Sequence, residues 1–397
     1  DIDLVVEGEA IRLTQALVER YGGRMRSHRR FGTAKWILPA ALVAPEAVQG
    51  APMLPSALDF VTARTEFYEH PTALPTVERS SIKLDLHRRD FTINTLAMRL
   101  DGRHSGELLD FWGGYGDLRK GVVRVLHSLS FIDDPTRILR AIRFEQRFGF
   151  KIEKRTLDLL LEADDQLKTV TGERIRHELD LMLQEAHPAL CLNRMADLGI
   201  LTMIHPSLKW NKDNGDSLER LLRQPYPEGW HIEEKYWGYP VNKVLGSAFW
   251  LSTHESDEIH SISRRLRLPK EIMMVALRVK QISESKNQLP DMKASEVYAM
   301  LAQMDMPTLA ILHAQSTPEV QDTLTRFITR LKDTHPFIDG HKLKEMGLQP
   351  GPAYREILSK VQNAWLDGKL RTEQDEEMLV KKLLEKHLVN PVDHERK

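Results

Sequence analysis

The sequence predicts an α+β protein: a small head of mixed strands and helices, followed by a long all-helical region. Two observations carry this. Strand-like apolar runs share the first hundred or so residues with an amphipathic helix, and beyond about residue 130 helical apolar spacing takes over. A chain of 397 residues also has room for more than one folded unit. Ile2 to Val6 reads as a buried strand, and Ala10 to Tyr21 as an amphipathic helix stopped by Gly22-Gly23. Phe31 to Leu38 and Ala57 to Ala63 read as further strands, joined by a Pro- and Ala-rich loop over Pro39 to Ser56. A second loop is expected over Glu69 to Leu86, where Pro71 and Pro75 fall, before an apolar helix over Ile93 to Leu100. Helices follow over 135–148, 154–162, 172–183 and 189–198, with a Pro/Gly/Trp-rich connection near 225–240. A C-terminal piece begins near Phe337, and Gln349-Pro350-Gly351-Pro352 precedes two last helices.

Composition excludes several classes. Hydrophobic residues are 41% and charged residues 28% of the chain, as in ordinary soluble globular proteins. No run of about 18 apolar residues exists to span a membrane. The 56 Lys+Arg and 57 Asp+Glu leave a formal charge of −1, so nucleic acid would have to be held by local basic patches. A single cysteine, Cys191, excludes an internal disulfide framework and a cysteine-based zinc cluster, which fits a reducing cytosol. Walker-A, GxGxxG, HExxH and GxSxG patterns are absent.

Five segments carry polar groups in chemically useful patterns. Asp1-Ile2-Asp3 heads a strand, where residues two apart face the same way, so its carboxylates form either a Mg²⁺-holding pair or a solvated one. Arg88-Arg89-Asp90, running on to Asn94, could neutralise a triphosphate and accept from a ribose hydroxyl, or Asp90 could simply cap a helix. In Asp133-Asp134-Pro135-Thr136-Arg137, continuing to Arg140, an acceptor and a donor three apart match a base edge; Asp-Pro is equally a helix start. Glu173, Arg174 and Glu178 either brace that pair or form a charged helix face. Asp110-Phe111-Trp112-Gly113-Gly114 reads as a turn or hinge.

In this order, RRDFTIN (88–94), DFWGGYGDL (110–118), DPTRILRAIRF (134–144) and ERIRHE (173–178) resemble the successive motifs of class II tRNA nucleotidyltransferases and bacterial poly(A) polymerases, in the polymerase β superfamily. The resemblance covers about residues 1–205. It implies a head over 1–125, a nucleotide-selecting neck over 126–205, a body over 206–335 and a tRNA-binding tail over 336–397. Asp1 and Asp3 are then the catalytic metal ligands for two Mg²⁺ ions, with Asp59 as a third carboxylate on a weaker match. Arg88, Arg89, Asp90 and Asn94 hold phosphate and ribose; Asp134 and Arg137 select the base, with Arg140, Glu173 and Arg174 completing the pocket. Asp110, Gly113 and Gly114 become a hinge. Asp133 stands where the family has Glu, and the GGxVRD segment that precedes the metal ligands is missing, so an N-terminally incomplete chain is expected. Its head would lack a first strand.

The activity implied is template-independent addition of A, or of CCA, to the 3′ end of tRNA from ATP and CTP, releasing pyrophosphate in the cytoplasm. ERSSIK (78–83) leans towards A addition, and the segment 69–86 is expected to govern the final A. Poly(A) synthesis, or a non-catalytic RNA-binding module with a degenerate head, are the alternatives. Arg24, Arg26, Arg29 and Arg30, in an acid-free run, and Lys342 at the start of the tail are the expected phosphate contacts to the acceptor and T arms.

Overall fold

The computed structural model describes residues 2–43, 55–67 and 76–389. The chain folds as two compact units, Asp1–Leu179 with Arg194–Pro206, and Asp180–Asn193 with Ser207–Lys397.

In the first unit, β1 (Asp3–Val6), α1 (Ala10–Tyr21), β2 (Arg24–His28), β3 (Thr33–Ile37), a helical turn α2 (Ala40–Val43) and β4 (Ala57–Thr62) build the head. Its sheet has the order β1-β4-β3-β2, with β1 parallel to β4 and the other pairs antiparallel. Alternation along the strands sorts the side chains. Leu4, Val6, Leu58, Phe60 and Trp36 pack with Ala10, Leu17 and Val18 of α1 on one face. The turn after α1 needs glycine at Gly23: its φ is +94°, and a Cβ there would collide with the Ile37 carbonyl oxygen. The Trp36 indole N–H closes the turn by donating to the Gly22 carbonyl at 2.9 Å.

One strand is added to the expected elements here, and two expectations are corrected. Arg24 to His28 is a strand, hidden in the sequence because Met25 is its one partly buried side chain between exposed polar neighbours. The proposed loop over 69–86 carries β6 (Thr76–Arg79), paired antiparallel with β5 (Arg64–Phe67), and then α3 (Ile82–His87), capped by the Ser81 hydroxyl; Pro71 and Pro75 lie outside the described residues. The helix expected over 93–100 does not form. The backbone makes a 3₁₀ turn at Thr92–Asn94 and then β7 (Ala97–Met98), paired with β8 (Leu108–Leu109), because Phe91 is fully buried and bridges to Val125 while Asn94 turns back to Asp90.

From α4 (Gly114–Lys120) onward the unit is mostly helical: β9 (Val122–Val123), α5 (Ser130–Asp133), α6 (Thr136–Phe148), β10 (Lys151–Ile152), α7 (Lys154–Glu162) and α8 (Gly172–Leu183). Phe131, Ile138, Leu139, Ile142, Leu160, Leu167 and Ile175 are buried to within 1%. Charge is buried among them: Arg194 grips Glu145 at 2.7 Å and Arg143 meets Glu178 at 3.4 Å.

After α9 (Pro188–Asp197) and α10 (Ile200–Ile204), the second unit runs α11 (Gly215–Arg223), the hairpin β11 (Lys235–Tyr236) and β12 (Tyr239–Pro240), then α12 (Val241–Ser252), α13 (Ser256–Leu266), α14 (Lys270–Ser283), α15 (Ala294–Leu301), α16 (Met306–Ala314) and α17 (Pro318–Arg326). Its centre is α12 against α14 and α16. Last come α18 (Gly340–Glu345), α19 (Pro352–Leu366) and α20 (Glu373–Val389), around Ile338, Leu343, Ile357, Val361 and Val380. Buried Glu376 accepts from the Phe337 and Ile338 amides at 3.1 and 2.5 Å and from the Trp365 indole N–H.

Candidate nucleotide-binding site

The head sheet places charge on the face opposite α1. Strand register sets Asp3 beside Asp59, Asp59 beside Lys35 and Lys35 beside Arg26, a row of two acids and two bases crossing all four strands. Lys35 pairs with Asp59 at 3.0 Å, and Asp3 is exposed. Asp1 lies outside the described residues. Asp59, the weaker match, is thus the described carboxylate nearest to Asp3 in register.

A second layer begins at β5. The Arg64 amide donates to the Asp85 carboxylate at 3.2 Å, and Glu7 accepts from the Ile82 amide at 2.6 Å, so α3 is fastened to the head sheet. Asp85 is fully buried and holds both arginines of the RRD segment: Arg88 through Nε and Nη2 at 3.2 and 2.9 Å, and Arg89 at 3.5 Å. This residue escaped the sequence reading. Its signal was present, an acid three and four positions before two arginines on one helical turn.

Asp90 does not cap a helix. Its Oδ1 accepts from the Phe91 amide at 2.9 Å and from Asn94 Nδ2 at 2.8 Å, and its Oδ2 from Arg140 Nε and Nη2 at 2.8 and 2.6 Å. Burial pushes this carboxyl up, but Arg140, Asn94 and the Phe91 amide outweigh it and hold the group below the usual aspartate value. Burial likewise opposes the charge on Arg140, and Asp90 with Glu178 restores it, raising its pKa. With four donors on one carboxylate, a ribose hydroxyl reaching Asp90 would displace one of them.

The neck segment meets the RRD segment directly. Arg137 is 8% exposed and donates from Nη2 to the Arg88 carbonyl and from Nη1 to the Ser130 hydroxyl, both at 2.7 Å. Two of its five N–H donors are thereby spent on holding the ring of contacts together. Asp134 Oδ1 accepts from the Thr136 amide at 3.0 Å, the Thr136 hydroxyl at 2.7 Å and Arg174 Nη2 at 2.8 Å. The capping and bracing contacts therefore fall on one oxygen of Asp134. Glu178 lies within 3.6 Å of Arg140, and Glu173 occupies the first turn of α8.

The glycine segment is bolted to this network. Asp110 accepts from the Gly114 and Tyr115 amides at 2.7 and 3.1 Å, capping α4. Gly113 sits at φ +74°, and a Cβ on Gly114 would collide with the Thr92 carbonyl. The expected phosphate contacts are spread out. Arg24 and Arg26 are exposed on the edge strand β2, while Arg29 and Arg30 line a cavity of about 210 Å³ with Arg64 and Arg79. Lys342, in the second unit, is ion-paired with Glu373 and Glu377 at 3.3 and 3.7 Å.

Comparison with known proteins identifies the family of the chain. Residues 1–124 match the poly A polymerase head domain, and 149–211 match the "Probable RNA and SrmB- binding site of polymerase A". The chain is 36% identical over 391 residues to the A-adding tRNA nucleotidyltransferase of Geobacter sulfurreducens, covering 95% of this chain and 42% of that protein. It is 31% identical over 380 residues to the A-adding tRNA nucleotidyltransferase of Halalkalibacterium halodurans, covering 94% of this chain and 82% of that protein. The Thermotoga maritima CCA-adding enzyme complexed with tRNA superposes with a TM-score of 0.73 at 31% identity, over 97% of this chain and 86% of that one. A CCA-adding enzyme in complex with ATP gives 0.76 at 31% identity, over 98% and 86%. The fold and site define a polymerase-β-type nucleotidyltransferase head on a helical body. The chain belongs to the class II tRNA nucleotidyltransferase family, and it spans less than half of the Geobacter relative's length.

Proposed function

We propose that this protein adds adenosine to the 3′ end of tRNA, using ATP and releasing pyrophosphate, with C addition by CTP as the extended form of the same activity. The observation that carries the reading is the 2.7 Å hydrogen bond from Arg137 to the Arg88 carbonyl, which closes the base-selecting segment onto the phosphate-and-ribose segment. The relatives' names and their tRNA and ATP complexes support it. We read the protein as cytoplasmic, which the buried Cys191 fits; no described helix is long and apolar enough to cross a membrane.

In the reaction, the RNA 3′-hydroxyl oxygen gives up its proton to water and bonds to the α-phosphorus of ATP as the bond from that phosphorus to the oxygen bridging to the β-phosphate breaks, and pyrophosphate leaves with the electron pair. Arg88 and Arg89, locked by Asp85, meet the triphosphate charge. Asp90 and Asn94 set the sugar. Asp134 offers the oxygen not engaged by Thr136 and Arg174 to an exocyclic amine, and Arg137 its unspent N–H groups to the adjacent ring acceptor. The exposed, hard-oxygen Asp3, in register with Asp59, fits Mg²⁺, which takes one or two carboxylates together with substrate phosphates and water. Bound there by Asp3 and Asp1, two Mg²⁺ ions would activate the hydroxyl and neutralise the leaving group. Head, neck, body and tail remain the working division, with the tail and the basic run of the head as the tRNA-binding parts.

Incorporation assays with ATP and CTP on tRNAs ending in the discriminator base, C or CC test the proposal. Mg²⁺-dependent addition of one A to the CC-ending tRNA is expected, and Asp134→Ala should scramble or abolish the base choice while sparing tRNA affinity. Unchanged preference in that variant would refute the base-reading role. Long A tracts would indicate poly(A) synthesis, and tRNA binding indifferent to nucleotide and metal would indicate a binding module.

A further inference from the structure

The function above leaves one feature of the first unit unused, a run of aromatic rings on its surface beside the base-selecting segment. His127 stacks on His87, centroids 5.6 Å apart and planes 24° from parallel. His87 lies 5.4 Å from Trp112, and Trp112 lies 5.5 Å edge-on from Phe111. The run begins at the pocket, since His127 Nε2 is 3.8 Å from the Asp133 carboxylate, next in sequence to Asp134. It ends in solvent, with Phe111 41% and Tyr115 50% exposed. Cations flank the outer rings: Lys83 Nζ sits 5.7 Å from the Phe111 centroid and the Arg119 guanidinium 6.0 Å from that of Tyr115.

A purely structural cluster would turn its rings inward. This one keeps Phe111, Tyr115 and His87 at the surface, where apolar area is not stabilised by burial. It is also held firmly, through the Asp110 cap on α4 and the close approach of Gly114 to Thr92. Flat π faces alternating with cations suit single-stranded nucleic acid, whose bases stack while its phosphates meet positive charge. A protein partner would have little reason to need both.

We propose that the His127–His87–Trp112–Phe111 run, with Lys83 and Arg119 at its rim, is a stacking platform for the unpaired 3′-terminal nucleotides of the RNA acceptor. It guides the growing end towards the Asp134–Arg137 pocket. This rests on the nucleotidyl-transfer reading of the site.

The test uses the full chain and an RNA minihelix whose single-stranded 3′ tail carries 2-aminopurine. Binding should quench the 2-aminopurine emission. Phe111→Ala and His87→Ala should each remove most of the quench and weaken minihelix binding by roughly 5- to 150-fold, the size of one lost base–aromatic stack. His87→Phe should restore both. The affinity for a blunt minihelix and for Mg·ATP should not change. Full quenching in both alanine variants, or equal losses for tailed and blunt minihelices, would overturn the platform. In that case retained Mg·ATP binding would leave the nucleotidyl-transfer reading intact, whereas failure of the unsubstituted protein to bind Mg·ATP would strike that reading itself.

Discussion

Helices α6 and α12 have nearly the same length, 13 and 12 residues, yet they are buried in opposite ways. Helix α6 takes Arg137, Arg143 and Glu145 into the interior beside Ile138, Leu139 and Ile142. Helix α12 buries everything from Val244 to Ser252 without a single charge. Dehydrating an ion costs several kcal/mol unless partners surround it, and apolar packing supplies stability with no such cost. In α6 each buried ion meets a protein partner, the Arg88 carbonyl for Arg137, Glu178 for Arg143 and Arg194 for Glu145, whereas α12 keeps its one cation, Lys243, in its first turn against Asp180. On the proposed reading the arginine–carboxylate lattice of the first unit is where the nucleotide is met, while the second unit's α12–α14–α16 core is scaffold.

The sharpest way to break the comparison is Asp85→Ala. It removes the buried acceptor shared by Arg88, Arg89 and the Arg64 amide, and should cost about 1–3 kcal/mol, since both arginines keep some access to water. Denaturant unfolding should show the loss, and calorimetry should show weakened ATP binding. An unchanged midpoint would mean the lattice is not structural. Leu312→Ala in the fully buried part of α16 should cost about 2–4 kcal/mol through its cavity, and titration at a temperature where the variant is folded should give an unaltered ATP affinity. Arg174→Ala removes a partly exposed brace from Asp134; about 1 kcal/mol and a relaxed preference for ATP over GTP are expected in competition assays.

Acid should act on both units. Burial lowers His127, His254 and His313 below their ordinary 6.5. His254 shows why: Nε2 accepts from the Lys209 amide at 3.2 Å, so Nδ1 carries the proton facing the Trp250 carbonyl at 3.1 Å, and a second proton would destroy the first contact. The unfolded chain then takes up protons first as pH falls below about 6.5, so stability is complete above that value and is lost through the window beneath it. Thermal melts between pH 7.5 and 5 should fall monotonically, and less steeply in His254→Gln. The smallest effect belongs to Lys35→Ala, whose half-exposed pair with Asp59 should contribute at most about 1 kcal/mol.

Much of this was legible in the residues. The 3.6-residue apolar period located α1, α7 and α8 to the residue, because each faces a core with one stripe. Four motif segments located most of the side chains that the structure brings into contact in the first unit. Strand β2 was not legible, since an edge strand buries little and its charges mask the alternation. Nor was the 3₁₀ turn after Asp90, which exists because Asn94 bonds back to that carboxylate across four residues, a tertiary arrangement with helical spacing. Asp85 was missed for a different reason: its spacing to Arg88 and Arg89 was visible, but the complete burial that makes it their anchor is a tertiary fact.

Glu376 carries a consequence for biosynthesis. The two amides and the indole it gathers come from residues 337, 338 and 365, all made earlier than the carboxylate that ties them. While the ribosome is still translating α20, Ile338 and Trp365 have no lock, and α18 and α19 can only hover near their final places. At about 5–20 residues per second, the segment from 337 to 376 spends several seconds in that unfinished condition. A chaperone seeking a foothold on the nascent chain would find it in that interval.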